Sequence, residues 1–207
     1  MLKDERVIVT LAWGFEMAKL REVDLKTNPE IAEAFKRLEA SRGWISNLMR
    51  SIAHAPDGLQ RYQALGHYAR YDTELTEAQK ELVVCATVRN VSYGWEHHAP
   101  LAKQCGVTDD QLARVKEGEI PPDLPPSDQA LCRFTFEFSS FKGVRQETAT
   151  ELLQHFTERQ IVDMALISAF YLSAGALIIG FDVELEGPDA LHREQDWQRQ
   201  RLQEAKR

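Results

Sequence analysis

From Met164 to Phe181 the chain runs for 18 residues without a charge. A run of that length must either cross a bilayer, where it sits at the lower edge of what spans the hydrocarbon, or be buried by the rest of the protein. Its composition favours burial. Ser168, Tyr171, Ser173, Gly175 and Gly180 interrupt it, and Asp163 and Asp182 bracket it where basic flanks would mark a membrane span. The segment is therefore expected to be the buried central helix of a soluble protein with no membrane partner.

Such a helix needs others to cover it, and their starts are written in the chain. Thr-x-x-Gln occurs at Thr76 to Gln79, Thr108 to Gln111 and Thr157 to Gln160, the pattern in which the Thr hydroxyl and the Gln amide cap each other's backbone N–H. Asn28-Pro29 offers proline at a first helical position, and Gly43, Gly106 and Gly143 stand where helices can end. Helices are expected near 29–42, 46–54, 56–70, 77–91, 94–105, 109–117, 128–142 and 158–181, with a shorter one at 146–155. Val7 to Thr10 allows a short strand. The prolines of Ile120 to Pro126 impose an extended, hinge-like linker, after which Leu131, Phe134, Phe138 and Phe141 recur at core spacing.

The expected organisation is an N-terminal segment 1–28, a helical domain 29–187 and a charged tail 188–207. That tail offers only Leu191, Trp197 and Leu202 for burial, and is a helix at best. A hydrophobic content of 43% is ordinary for a globular chain of 207 residues, and the net charge of -7, with no basic stripe, argues against nucleic acid. The odd set Cys85, Cys105 and Cys132 contains no Cys-x-x-Cys, which fits reduced thiols in a cytoplasmic protein. The acids in Met1 to Arg6, and the lack of a cleavage site after Val7 to Phe15, read against a secretory signal.

Candidate chemistry gathers between Thr76 and Val107. Glu81 opens a helix that continues Leu82-Val83-Val84-Cys85-Ala86-Thr87-Val88, apolar on every side and hence buried, so its carboxyl meets a low-dielectric region suited to proton transfer. Cys85 shares the face of Glu81, and Arg89 one turn on could hold a substrate carboxylate or neutralise Glu81. The next helix begins Ser92-Tyr93-Gly94-Trp95-Glu96-His97-His98. Adjacent helical residues point about 100° apart, so His97 and His98 cannot share one metal ion, and no other ligand spacing appears. Without a phosphate-cradling glycine loop or a nucleophile elbow, nucleotide-dependent chemistry and a hydrolase fold have little support.

Tyr93-x-Trp95-x-x-His98, followed by Ala99-Pro100-Leu101-Ala102 and Gly106-Val107-Thr108, resembles the signature of the carboxymuconolactone decarboxylase and alkylhydroperoxidase D superfamily. Gly43 to Asn47 with His54-Ala55-Pro56, and Gly180 to Glu186, resemble its early hairpin and closing segment. The resemblance implies an all-α, single-domain helical bundle and a homo-oligomer, trimer or hexamer, with pockets between subunits. It also implies a cofactor-independent lyase or isomerase acting on a small ring-derived acid. His98 takes the family's His position and Glu81 its carboxylate, Arg89 would bind the substrate, and Tyr93, Trp95 and His97 would line the pocket. Three departures stand out: Ser92 to Glu96 lacks the sulfur pair of the peroxidase branch, Glu81 to His98 is about two residues short, and Gly94 replaces a common Glu. A thiol oxidoreductase using Cys85 with Cys105 or Cys132, and a non-catalytic ligand-binding module, are the alternative readings.

Overall fold

The structure is a computed structural model that describes residues 8–10, 16–18, 20, 23–42 and 44–204. Gly43 and Met1 to Val7, named above, lie outside the described residues. The fold is all-α, as expected. Its helices are α1 (Pro29–Arg42), α2 (Asn47–Ile52), α3 (Pro56–His67), α4 (Glu77–Val88), α5 (Ser92–Gln104), α6 (Asp109–Glu117), α7 (Pro126–Ser139), α8 (Gln146–Leu152), α9 (Glu158–Gly180) and α10 (Pro188–Glu204). A π-helical turn, Tyr68–Asp72, extends α3, and a short antiparallel pair joins β1 (Ile8–Thr10) to β2 (Glu16–Ala18).

All three expected capping boxes form. The Gln79, Gln111 and Gln160 backbone N–H groups each donate to the capping threonine hydroxyl at 3.2 Å, and the Thr76, Thr108 and Thr157 N–H groups donate to the glutamine side chains at 3.1, 3.0 and 3.0 Å. These are contacts over three residues, which is why they can be read from sequence. The linker before α7 is pinned: the Gln129 side chain donates to the carbonyls of Pro122 and Leu124 at 3.1 and 2.8 Å. One expectation is corrected. Phe141 is not part of the core stripe but 83% exposed, because α7 ends at Ser139 and Phe141 takes a left-handed φ of 59°.

The chain gathers into two compact units, Met1–Tyr62 with Ala176–Arg207, and Gln63–Gly175. In the first, Ile31, Phe35 and Leu38 of α1 pack with Met49 of α2, Ala53 and Leu59. The Asn47 N–H at the start of α2 donates to Glu186 at 2.5 Å, and its side chain donates to the Glu184 carbonyl at 3.0 Å. The tail forms α10, yet its buried members are Glu194 and Gln198, with Leu191, Trp197 and Leu202 half-buried. Positions 191, 194, 198 and 202 lie on one helical stripe, and two polar members hid it in the sequence.

In the second unit α4 packs against α5, α6 and α7 and is buried continuously from Lys80 to Val88. Lys80 stands at its edge, and its ammonium donates to the Arg70 carbonyl at 2.8 Å and to Glu77 at 2.6 Å. α5 starts at Ser92, and its Gly94 lies so close to α4 that a Cβ there would be 2.9 Å from that of Val88. α9 is anchored by Asp163, fully buried, which accepts from the Tyr68 hydroxyl at 2.6 Å, the Glu74 N–H at 2.9 Å and Arg159 at 3.3 Å. α9 is long and apolar enough to cross a membrane by length and composition alone. One of its faces is buried here, through Met164, Ile167, Phe170, Tyr171 and Ala174.

Candidate active site

Two titratable side chains of the α4–α5 pair come together in the interior. Glu81 is 5% exposed and His98 5%, and the imidazole Nδ1 lies 2.8 Å from Glu81 Oε2. Helix packing explains the meeting. Val91 takes an extended conformation and turns the chain back on itself, and Gly94 removes the side chain that would hold α5 away from α4. A buried carboxylate is unfavourable unless hydrogen bonds replace its water, and the imidazole N–H supplies one. A carboxylate at this distance favours the tautomer with the proton on Nδ1, which leaves Nε2 without it.

The wall of this pair comes from α9. Tyr171, 7% exposed, presents its ring edge-on to His98, with centroids 4.8 Å apart and planes at 85°, and Phe170 packs edge-on to Tyr171 at 5.2 Å. Tyr171 was not among the sequence-derived site residues. Its only signal there was as a polar ring inside the uncharged run.

The remaining candidates are placed elsewhere. His97 is buried and stacks on Tyr93 at 4.7 Å with ring planes tilted by 33°. Its imidazole is thus turned from His98's direction, as the angle between successive helical residues requires. Trp95 lies under the ammonium of Lys116 at 4.2 Å. Arg89 ends α4, stacks over Phe136 at 5.3 Å and donates to the Ala86 carbonyl at 3.4 Å. It stands eight residues past Glu81, about 12 Å along the helix axis, so the structure does not bring it to the pair.

Cys85 is fully buried one turn from Glu81, and burial, followed by the negative Glu81 and the neighbouring Cys132, pushes its thiol well above the usual value of 9.0. Burial, with Asp128 behind it, pushes Cys132 up to about 12. Both thiols are therefore held neutral, whereas the thiolate is the nucleophile. Among the described residues no three His, Cys, Asp or Glu side chains are grouped to hold a metal ion.

These helices define the class of fold: it is the fold of alkylhydroperoxidase D (AhpD) core structures. The chain is similar to an alkylhydroperoxidase AhpD core structure, an uncharacterized peroxidase-related protein from Ralstonia eutropha JMP134. The TM-score is 0.71 at 19% identity, over 86% of this chain and 96% of that one. It is also similar to the debrominase Bmp8 in complex with 2,3,4-tribromopyrrole, with a TM-score of 0.67 at 17% identity over 84% and 95% of the two chains. A peroxidase-related protein from Silicibacter sp. TM1040 gives 0.67 at 13% identity over 77% and 86%. No protein-family profile and no curated protein sequence matches. At these identities the likeness is one of fold, within which one neighbour is an enzyme.

Proposed function

We propose that this chain is a cofactor-independent lyase or isomerase that acts on a small ring-derived organic acid by proton transfer at His98, with Glu81 as the group that orients the imidazole. The observation that carries the reading is the buried 2.8 Å contact between Glu81 and His98. Glu81 accepts from Nδ1 and holds one tautomer and one ring orientation, while Nε2 takes or gives the proton. In an isomerisation, Nε2 removes a proton from a carbon next to a carbonyl and returns it at another carbon of the same dienolate. In a decarboxylation, the bond to the carboxylate breaks, its electron pair passes into the enolate, carbon dioxide leaves, and protonated His98 supplies the proton at carbon. Neither step requires a co-reactant beyond water to restore the proton.

A debrominase of the same fold holding a small brominated pyrrole supports the idea that this scaffold can host chemistry on a small ring. We further propose a cytoplasmic homo-oligomer, a trimer or hexamer, in keeping with the absence of a Cys-x-x-Cys pair and with the family resemblance. The thiol oxidoreductase reading is weaker, since Cys85 and Cys132 are buried and held neutral. The test is His98→Gln, assayed over a panel of unsaturated ring-derived acids by carbon dioxide release and ultraviolet absorbance. Turnover should disappear while the circular dichroism spectrum is retained; turnover at the wild-type rate removes the reading.

A further inference from the structure

Other buried hydroxyls on these helices have a partner. Thr87 donates to the Val83 carbonyl at 2.7 Å, Thr135 to the Leu131 carbonyl at 2.8 Å and Thr148 to the Glu137 carboxylate at 3.0 Å. Ser168, in the middle of α9, behaves otherwise. It is 0% exposed, and its Oγ has no hydrogen-bond partner among the described residues. Back-bonding to the carbonyl four residues earlier, at Met164, is the usual relief for a helical serine, and Ser168 does not take it. A buried hydroxyl without a partner is unfavourable, so its retention points to a use.

The position of Ser168 follows from its neighbours. A Cβ at Gly175 would lie 3.2 Å from Val91, at the start of α5, and Tyr171 meets His98 seven residues along α5. The order of contact is reversed between the two helices, so one turn before Tyr171 on α9 brings Ser168 level with the part of α5 that begins at His98. Ser168 and Tyr171 share a face, because residues three apart on a helix lie about 60° apart. A helical side chain leans over the turn that precedes it, so the Tyr171 ring covers the level of Ser168, and the His98 ring lies in the same layer.

We propose that Ser168 is a substrate-binding residue of the Glu81–His98 site, whose hydroxyl donates to a carboxylate oxygen of a small organic acid held against His98 Nε2. The proposal rests on the function proposed above and adds the contact that recognises the acid. A neutral donor suits this place: it orients an anion without a second cation beside the imidazole, and Arg89, stacked on Phe136, lies two turns from Glu81 on α4.

Benzoate is the probe. Its binding to the full chain is followed by calorimetry, and the titration of the His98 imidazole by long-range proton–nitrogen NMR, in the wild type and in Ser168→Ala. Removing the hydroxyl should weaken benzoate by about tenfold or more, since a hydrogen bond to a charged group is lost. The Tm should stay level or rise, because an unpartnered buried hydroxyl has gone. Equal affinity in Ser168→Ala overturns the assignment, as does a loss of affinity accompanied by a fall in Tm, which would mean packing. Wild-type protein that does not bind benzoate overturns the acid contact, and leaves proton transfer to the turnover of His98→Gln. Benzoate that binds through Ser168 without moving the His98 midpoint speaks against the proposed function instead.

Discussion

Glu81 and His98 stand 17 residues apart in the chain and 2.8 Å apart in space. From Glu81 down to Val88 and from Ser92 back up to His98, α4 and α5 traverse about 10 Å and about 9 Å, so the two side chains arrive at the same level. The interval that looked two residues short for the family is thus one at which the pair still closes.

Breaking the pair from the carboxylate side should separate stability from activity. Glu81→Ala leaves a buried imidazole N–H unmatched and should cost about 1–3 kcal/mol in chemical denaturation. Glu81→Gln keeps an acceptor at the same distance and should cost less than half of that. Both should lose turnover by about a hundredfold or more, since an amide cannot stabilise an imidazolium as a carboxylate does.

Cys85 and Cys132, buried and held protonated, should resist iodoacetamide in the native protein at pH 8, with Cys132 titrating only near 12. Mass spectrometry should place native-state alkylation at the half-buried Cys105, with the other two labelled only in denaturant. Rapid labelling of Cys85 in the folded protein would revive the thiol mechanism.

Glu137 gives the chain a pH dependence of known sign. Burial alone would push its carboxyl up, but the Arg145 backbone N–H and guanidinium and the Thr148 hydroxyl together hold it below the usual 4.5. Distances of 2.9, 2.7 and 3.0 Å tie it in this way to the start of α8. A carboxyl lowered on folding contributes stability above its unfolded value and loses it as pH falls through the folded one. Wild-type stability should therefore decline below about pH 4.5 more steeply than that of Glu137→Gln, which should be less stable at pH 7 by about 1 kcal/mol. Parallel urea titrations from pH 3 to 7 check this.

Gly94→Ala should destabilise by about 1–3 kcal/mol, because the added methyl would meet the Val88 Cβ at 2.9 Å. Val88→Ala does not remove that Cβ but frees the branch methyls at 3.1 Å, letting α4 and α5 readjust. The double variant should thus recover part of the loss, a coupling that a thermodynamic cycle measures.

What the sequence determined by itself was chemistry that acts over three or four residues. The Thr-x-x-Gln boxes, proline at the start of α1 and the apolar stretch after Glu81 specified helix boundaries and the burial of α4, because caps and periodicity are local. That Glu81 and His98 were worth pairing was legible as well, from residue types in a family-like pattern. Only the tertiary structure decided that Arg89 spends its guanidinium on Phe136 and that Tyr171 supplies the wall of the Glu81–His98 pair. It also turned Phe141 outward and buried Glu194 and Gln198 in a segment that reads as a solvated tail. Each of these depends on which helix faces are pressed together and at what level, a property of packing between segments far apart in the chain, which no spacing within one segment encodes.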